Sequence, residues 1–155
     1  MTINEYFKEY DNKYFEMKDK LIEIKEARSN FYNLTGSKFS DMPKSGFSTT
    51  DFADQISRIN DLIEDYKKKE KDYIEERDKC LLDISKLKKP MDKTIIKLAF
   101  LEKKKNKSIS SILNKIYNLD YSTDYIKNLK GKAIHNFEQI VTKCYEMLPN
   151  VTNCS

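Results

Sequence analysis

Between residues 103 and 135 the chain carries a set of cationic and amide side chains whose chemistry suits a polyanion. Asn128 presents a paired donor and acceptor that match the exposed edge of adenine. Lys127 and Lys132 present ammonium groups that reach guanine or phosphate. His135 adds a further phosphate contact to the same set. The run Lys103-Lys104-Lys105-Asn106-Lys107 suits the sugar-phosphate backbone, with salt-sensitive, sequence-independent affinity. Ser122, Thr123 and Asp124 open the segment that bears Asn128 and complete the candidate DNA-contact set. An ordinary solvated helix face offers the same residue types, so these residues need an element that aims them.

Other chemistries lack their residues. No GxxxxGK[ST], GxGxxG, HExxH or nucleophile elbow is present. Glu75 and Glu76 are adjacent, so on a helix they diverge. The expectation is a protein without enzymatic activity. Cys80, Cys144 and Cys154 have no CxxC spacing, and His135 has no cysteine at metal-ligand distance in sequence, so neither a zinc site nor a disulfide framework is expected. No cofactor and no metal follow. The amino terminus is too polar for a signal peptide, and no 18-residue apolar run could span a membrane; a cytoplasmic protein is expected.

Charge divides the chain. Residues 1–87 hold 16 Lys/Arg against 19 Asp/Glu, whereas residues 88–155 hold 13 against 6. A basic last third behind a mildly acidic remainder points to a polyanionic partner or to a lysine-rich solvated surface.

The positioning elements are helical, because 3 Gly and 3 Pro leave long stretches unbroken. Ile3, Phe7, Tyr10, Tyr14, Met17, Leu21, Ile24 and Phe31 alternate steps of four and three, the pattern of a coiled-coil seam on one helix over 3–34, interrupted by Arg28. Residues 35–49 read as a loop, with Thr49-Thr50-Asp51 as the cap of a second helix over 51–88. Its seam runs Ile56, Ile59, Ile63, Tyr66, Tyr73, Cys80, Ile84 and Leu87, with Glu70 and Arg77 reaching solvent by their stems or fixing register. Two such helices fold back as an antiparallel hairpin, which could also serve a homodimer. Pro90 ends the second helix. A short apolar helix over 91–102, a basic turn at 103–107, a helix over 109–117 capped by Ser108, a turn at 118–121 and a helix over 123–147 capped by Ser122 follow. Pro149 closes the last helix, and 149–155 is a loose tail.

Short helix, turn and capped longer helix form a helix-turn-helix pattern. At 100° per residue, Ile126, Leu129, Ala133, Phe137, Ile140 and Cys144 share one stripe of the last helix, and Asp124, Lys127, Asn128, Gly131, Lys132 and His135 lie opposite. Gly131 costs its helix about 1 kcal/mol against alanine. Close approach of DNA, close approach of a neighbouring helix, or the absence of any constraint would each account for it.

The stretch Ile116-Tyr117-Asn118-Leu119-Asp120-Tyr121-Ser122, with Tyr125, Lys130, Ala133-Ile134 and Phe137, resembles the C-terminal part of the ArpU/RinA-type transcriptional regulators of phages and mobile elements in Gram-positive bacteria. The resemblance covers about residues 90–145 and implies a domain similar to sigma factor region 4, promoter binding and contact with RNA polymerase. One departure is that Ile112 and Ser122 lie ten positions apart, farther than in a compact region 4 motif. The expected fold is all-α: a hairpin over 1–89, a three-helix helix-turn-helix domain over 90–148 and a tail. The expected partner is double-stranded DNA. The alternative is a helical interaction module that modulates a phage regulator or RNA polymerase.

Overall fold

The computed structural model describes residues 1–36 and 49–147. Most of the expected loop at 35–49, Pro149, the 149–155 tail and Cys154 lie outside them. The described chain is all-helical: α1 (Ile3–Gly36), α2 (Thr49–Ser85), α3 (Pro90–Ile96), a π-helical turn (Lys97–Leu101), α4 (Asn106–Tyr117) and α5 (Thr123–Glu146). No described helix is long and apolar enough to cross a membrane.

Helix starts follow local chemistry. Thr2 and Glu5 form a capping box: the Thr2 backbone N–H donates to Glu5 Oε2 (2.7 Å), and the Glu5 N–H donates to Thr2 Oγ1 (3.3 Å). Hydrogen bonding from the Thr2 backbone N–H, and then from the Thr2 side chain, holds the Glu5 carboxyl below its ordinary range. At the same end of the antiparallel pair, α2 stops at Ser85, three residues short of expectation. Its last turn tightens there, with Lys86 and Leu87 N–H groups bonded three residues back. Pro90 occupies the first position of α3, where its missing N–H costs nothing, and Lys89 before it is extended.

The chain divides into two compact units whose borders fall inside the two long helices rather than at residues 89 and 90. Tyr10–Glu76 forms one unit. Here α1 and α2 run antiparallel: Tyr10 meets Tyr73 (hydroxyls 3.0 Å apart), Glu16 meets Lys69 (2.7 Å) and Phe31 meets Phe52. On α1, Tyr10, Met17 and Ile24 are buried at seven-residue spacing, as the seam requires. With one neighbour per helix, enclosure is incomplete: Ile59, Ile63, Tyr66 and Tyr73 are half-buried, and Ile56, expected in the seam, is exposed. Glu70 accepts from the Tyr66 hydroxyl (3.4 Å). Phe15 and Ile22, outside the seam, are 61% and 52% exposed.

Met1–Glu9 and the chain from Arg77 onward form the other unit. Both α3 and α4 pack on α5, and α4 also meets the π turn. Ile95, Ile96, Ile109, Leu113, Ile126, Ala133 and Phe137 are fully enclosed. Into this core the first turns of α1 insert Ile3, Tyr6 and Phe7. The Phe7 ring stacks on Phe100 (5.2 Å, 10°) and on Phe137 (5.7 Å, 17°), and Tyr6 meets Phe137 edge-on. The Tyr6 hydroxyl donates to Asp83 (2.6 Å), which also pairs with Lys86 (2.6 Å). Burial, then the bond to Asp83, raises the phenol well above its ordinary ionisation range.

Candidate nucleic-acid interface

The turn between α4 and α5 is built by side chains of α4. Asn118 ends α4 in the left-handed region (φ 52°), where asparagine is tolerated and where its N–H bonds back to the Asn114 carbonyl. The Asn114 side chain then brackets Tyr121. Its Nδ2 donates to the Tyr121 carbonyl (2.9 Å), and its Oδ1 accepts from the Tyr121 N–H (2.9 Å). Ser110 Oγ donates to the same carbonyl (2.9 Å). Three side-chain bonds thus hold one residue of a five-residue connection, leaving it little freedom. Ser122 caps α5 as expected, its hydroxyl accepting from the Tyr125 N–H (3.2 Å). Tyr121 and Tyr125 then meet edge-to-face at 4.6 Å.

Ser108 does not cap α4. The helix starts earlier, at Asn106, with Lys105 at the cap position and no side-chain cap bond. The run 103–107 is therefore only partly a turn: Asn106 and Lys107 belong to the first turn of α4, and Lys103 is held at φ 53°. Lys103, Lys104, Lys105 and Lys107 are all exposed. The first turn of α4 holds no acidic residue, so Lys107 and the Lys105 before it add their charge to the positive end of the helix dipole.

The inner face of α5 is rotated slightly from expectation. Ile126, Ala133 and Phe137 are enclosed as expected. Val141 takes the next enclosed position, whereas Leu129, Ile140 and Cys144 are half-buried. The cause is a run of four-residue steps, 133, 137 and 141, along a straight helix, instead of the alternating pattern that leads to 140 and 144. Asn136 fixes the rotation by donating from Nδ2 to the buried carboxylate of Asp92 on α3 (2.9 Å).

The outer face is open. Thr123, Asp124, Lys127, Asn128, Gly131, Lys132 and His135 are all exposed. Lys127, Asn128, Gly131, Lys132 and His135 line one shallow concavity with Lys89 and Asn136. Ser122, Thr123, Asp124 and the four lysines of 103–107 do not line it. A Cβ added at Gly131 would meet nothing within 4 Å, so no neighbour within the chain requires glycine there. His135 Nε2 lies 2.9 Å from the Gln139 amide one turn on.

Lys89 and Asn136 are the lining residues that sequence reading missed. Asn136 continues the four-residue row Asn128, Lys132, Asn136, a signal present in the sequence. Lys89 has none, since only tertiary packing carries the α2–α3 connection alongside α5. Among the described residues no cluster of His, Cys, Asp and Glu could hold a metal. No protein-family model, curated protein or solved structure matches the chain.

Proposed function

We propose that this protein is a sequence-specific regulator that binds double-stranded DNA, with α5 entering the major groove by its outer face. The observation carrying this reading is the exposed row of Lys127, Asn128, Lys132 and His135 on a helix whose other face is anchored in the core and whose start is clamped by Asn114, Ser110 and Ser122. A recognition helix needs an open polar face and a fixed entry angle, and α5 has both. Gly131 in the middle of that face leaves room for groove walls or base edges. Lys105 and Lys107 at the start of α4 sit where the dipole disfavours cations, an arrangement that a phosphate placed between them would relieve. The resemblance of residues 116–137 to ArpU/RinA-type regulators supports an origin in a phage or mobile element and contact with RNA polymerase as a second partner.

The test is selection of bound fragments from a random DNA pool, followed by titration against salt. A defined motif is expected to be enriched. Lys127→Ala and Lys132→Ala are each expected to weaken binding: by about 1–3 kcal/mol with relaxed preference if the side chain reads guanine, or by reducing the salt slope by about 1 if it meets phosphate. Absence of DNA retention at low salt would sink the reading.

A second reading has its own observation. Phe15 and Ile22 lie seven residues apart on α1 and are more than half exposed. An apolar stripe outside the seam suits a helical partner, either a second copy of this chain or another regulator. Under this reading Phe15→Glu with Ile22→Glu abolishes a copurifying partner or a dimer seen by sedimentation, and leaves the helical content unchanged.

A further inference from the structure

The connection between α2 and α3 ends in Lys88-Lys89-Pro90, and both lysines are exposed. Two concavities meet there. One is the surface bearing Lys127 and Lys132; the other is lined by Lys88, Lys89 and Lys143, the last near the end of α5. They share Lys89 and Asn136, so the cationic surface is continuous from the front of α5 to its last turn. The sixteen steps from Lys127 to Lys143 span about 24 Å along the helix axis. The one carboxylate lining either concavity, Asp92, is buried and accepts from Asn136. Lys86, which borders the same surface, is paired with Asp83, and Lys143 also lines a neighbouring concavity with Glu138 and Glu146, so the cationic excess rests chiefly on Lys88 and Lys89.

We infer that Lys88 and Lys89, with Lys143, form a second contact strip that grips the phosphodiester backbone flanking the groove entered by α5. The inference rests on the DNA-binding reading above and deepens it. A helix as long as α5 cannot lie wholly in a groove about 12 Å wide, and its rear half leaves the bases and passes over a phosphate ridge. The strip lies on that rear half. Lysine suits the task, because a flexible point charge neutralises phosphate without reading sequence. Proline after Lys89 holds that residue extended, which keeps its ammonium group outside the helix that follows.

The experiment compares the full chain with Lys88→Gln/Lys89→Gln in binding to the selected duplex and to a random duplex, between about 50 and 200 mM salt. Two lost phosphate contacts lower the salt slope by about 1.8, so over that range the variant loses about twelvefold less affinity than the parent. The weakening is equal on both duplexes, and the selected motif is unchanged. An unchanged slope, with circular dichroism showing a folded variant, overturns the strip and leaves the recognition helix standing. A changed motif overturns the backbone assignment, because the lysines would then be reading bases. Failure of the parent chain to bind either duplex overturns the strip together with the function on which it rests.

Discussion

Single residues separate stability from function most cleanly at Gly131 and Phe7. At Gly131 nothing in the chain opposes a methyl group, so Gly131→Ala should raise unfolding free energy by about 1 kcal/mol, read from chemical denaturation. The same substitution should lower DNA affinity, and a larger side chain should lower it further. Gain of stability with unchanged affinity would show that no partner approaches the backbone there. At Phe7 the balance is opposite. Its ring is buried between Phe100 and Phe137, far from the outer face of α5, so Phe7→Ala should cost about 3–5 kcal/mol and act on binding only through the folded fraction. Asn114 joins the two properties. Asn114→Ala removes both brackets on Tyr121 and should cost about 1–3 kcal/mol, and it should weaken DNA binding even where the protein remains folded, because α5 loses its fixed entry.

Elements differ in how plainly their sequences announce them. The seven-residue repeat of α1 and the Ser122 cap of α5 were legible, because each depends on neighbours in the chain: an apolar period in one case, an oxygen three positions from an N–H in the other. The exposed set on α5 was also legible, since a helix that buries one stripe must show the other. Val141 was hidden because its place depends on the rotation imposed by Asn136 and Asp92, a long-range bond. The π turn at Lys97–Leu101 was likewise unreadable, its five-residue register having no compositional mark. The capping box of α1 was readable in Thr2-x-x-Glu5 and went unused. It gives a pH test. The Glu5 carboxyl is held below its ordinary range in the folded chain, so its stabilisation is present above the unfolded carboxylate range and is lost as pH falls through the folded value. Thermal melts between about pH 6 and pH 3 should therefore show a smaller acid loss in Glu5→Gln than in the parent.

At the scale of the whole molecule, the unit bearing the candidate interface is assembled from two separated stretches, residues 1–9 and those from 77 onward. Excision should follow that division. Replacing residues 10–76 with a flexible linker of about eight residues, which reaches roughly 15 Å, should leave this unit folded with a cooperative melt, since neighbouring helix axes lie only about 8–10 Å apart. Removing residues 1–9 instead should collapse the melt, because Ile3, Tyr6 and Phe7 leave the core together. The Ile3 N–H to Glu138 bond joins positions 135 apart. During synthesis at about 5–20 residues per second, the first aromatic rings emerge roughly 7–27 s before the surface that shelters them. For that interval the nascent first turns of α1 are an uncovered greasy handle, open to chaperones or to a neighbouring chain on the same polysome.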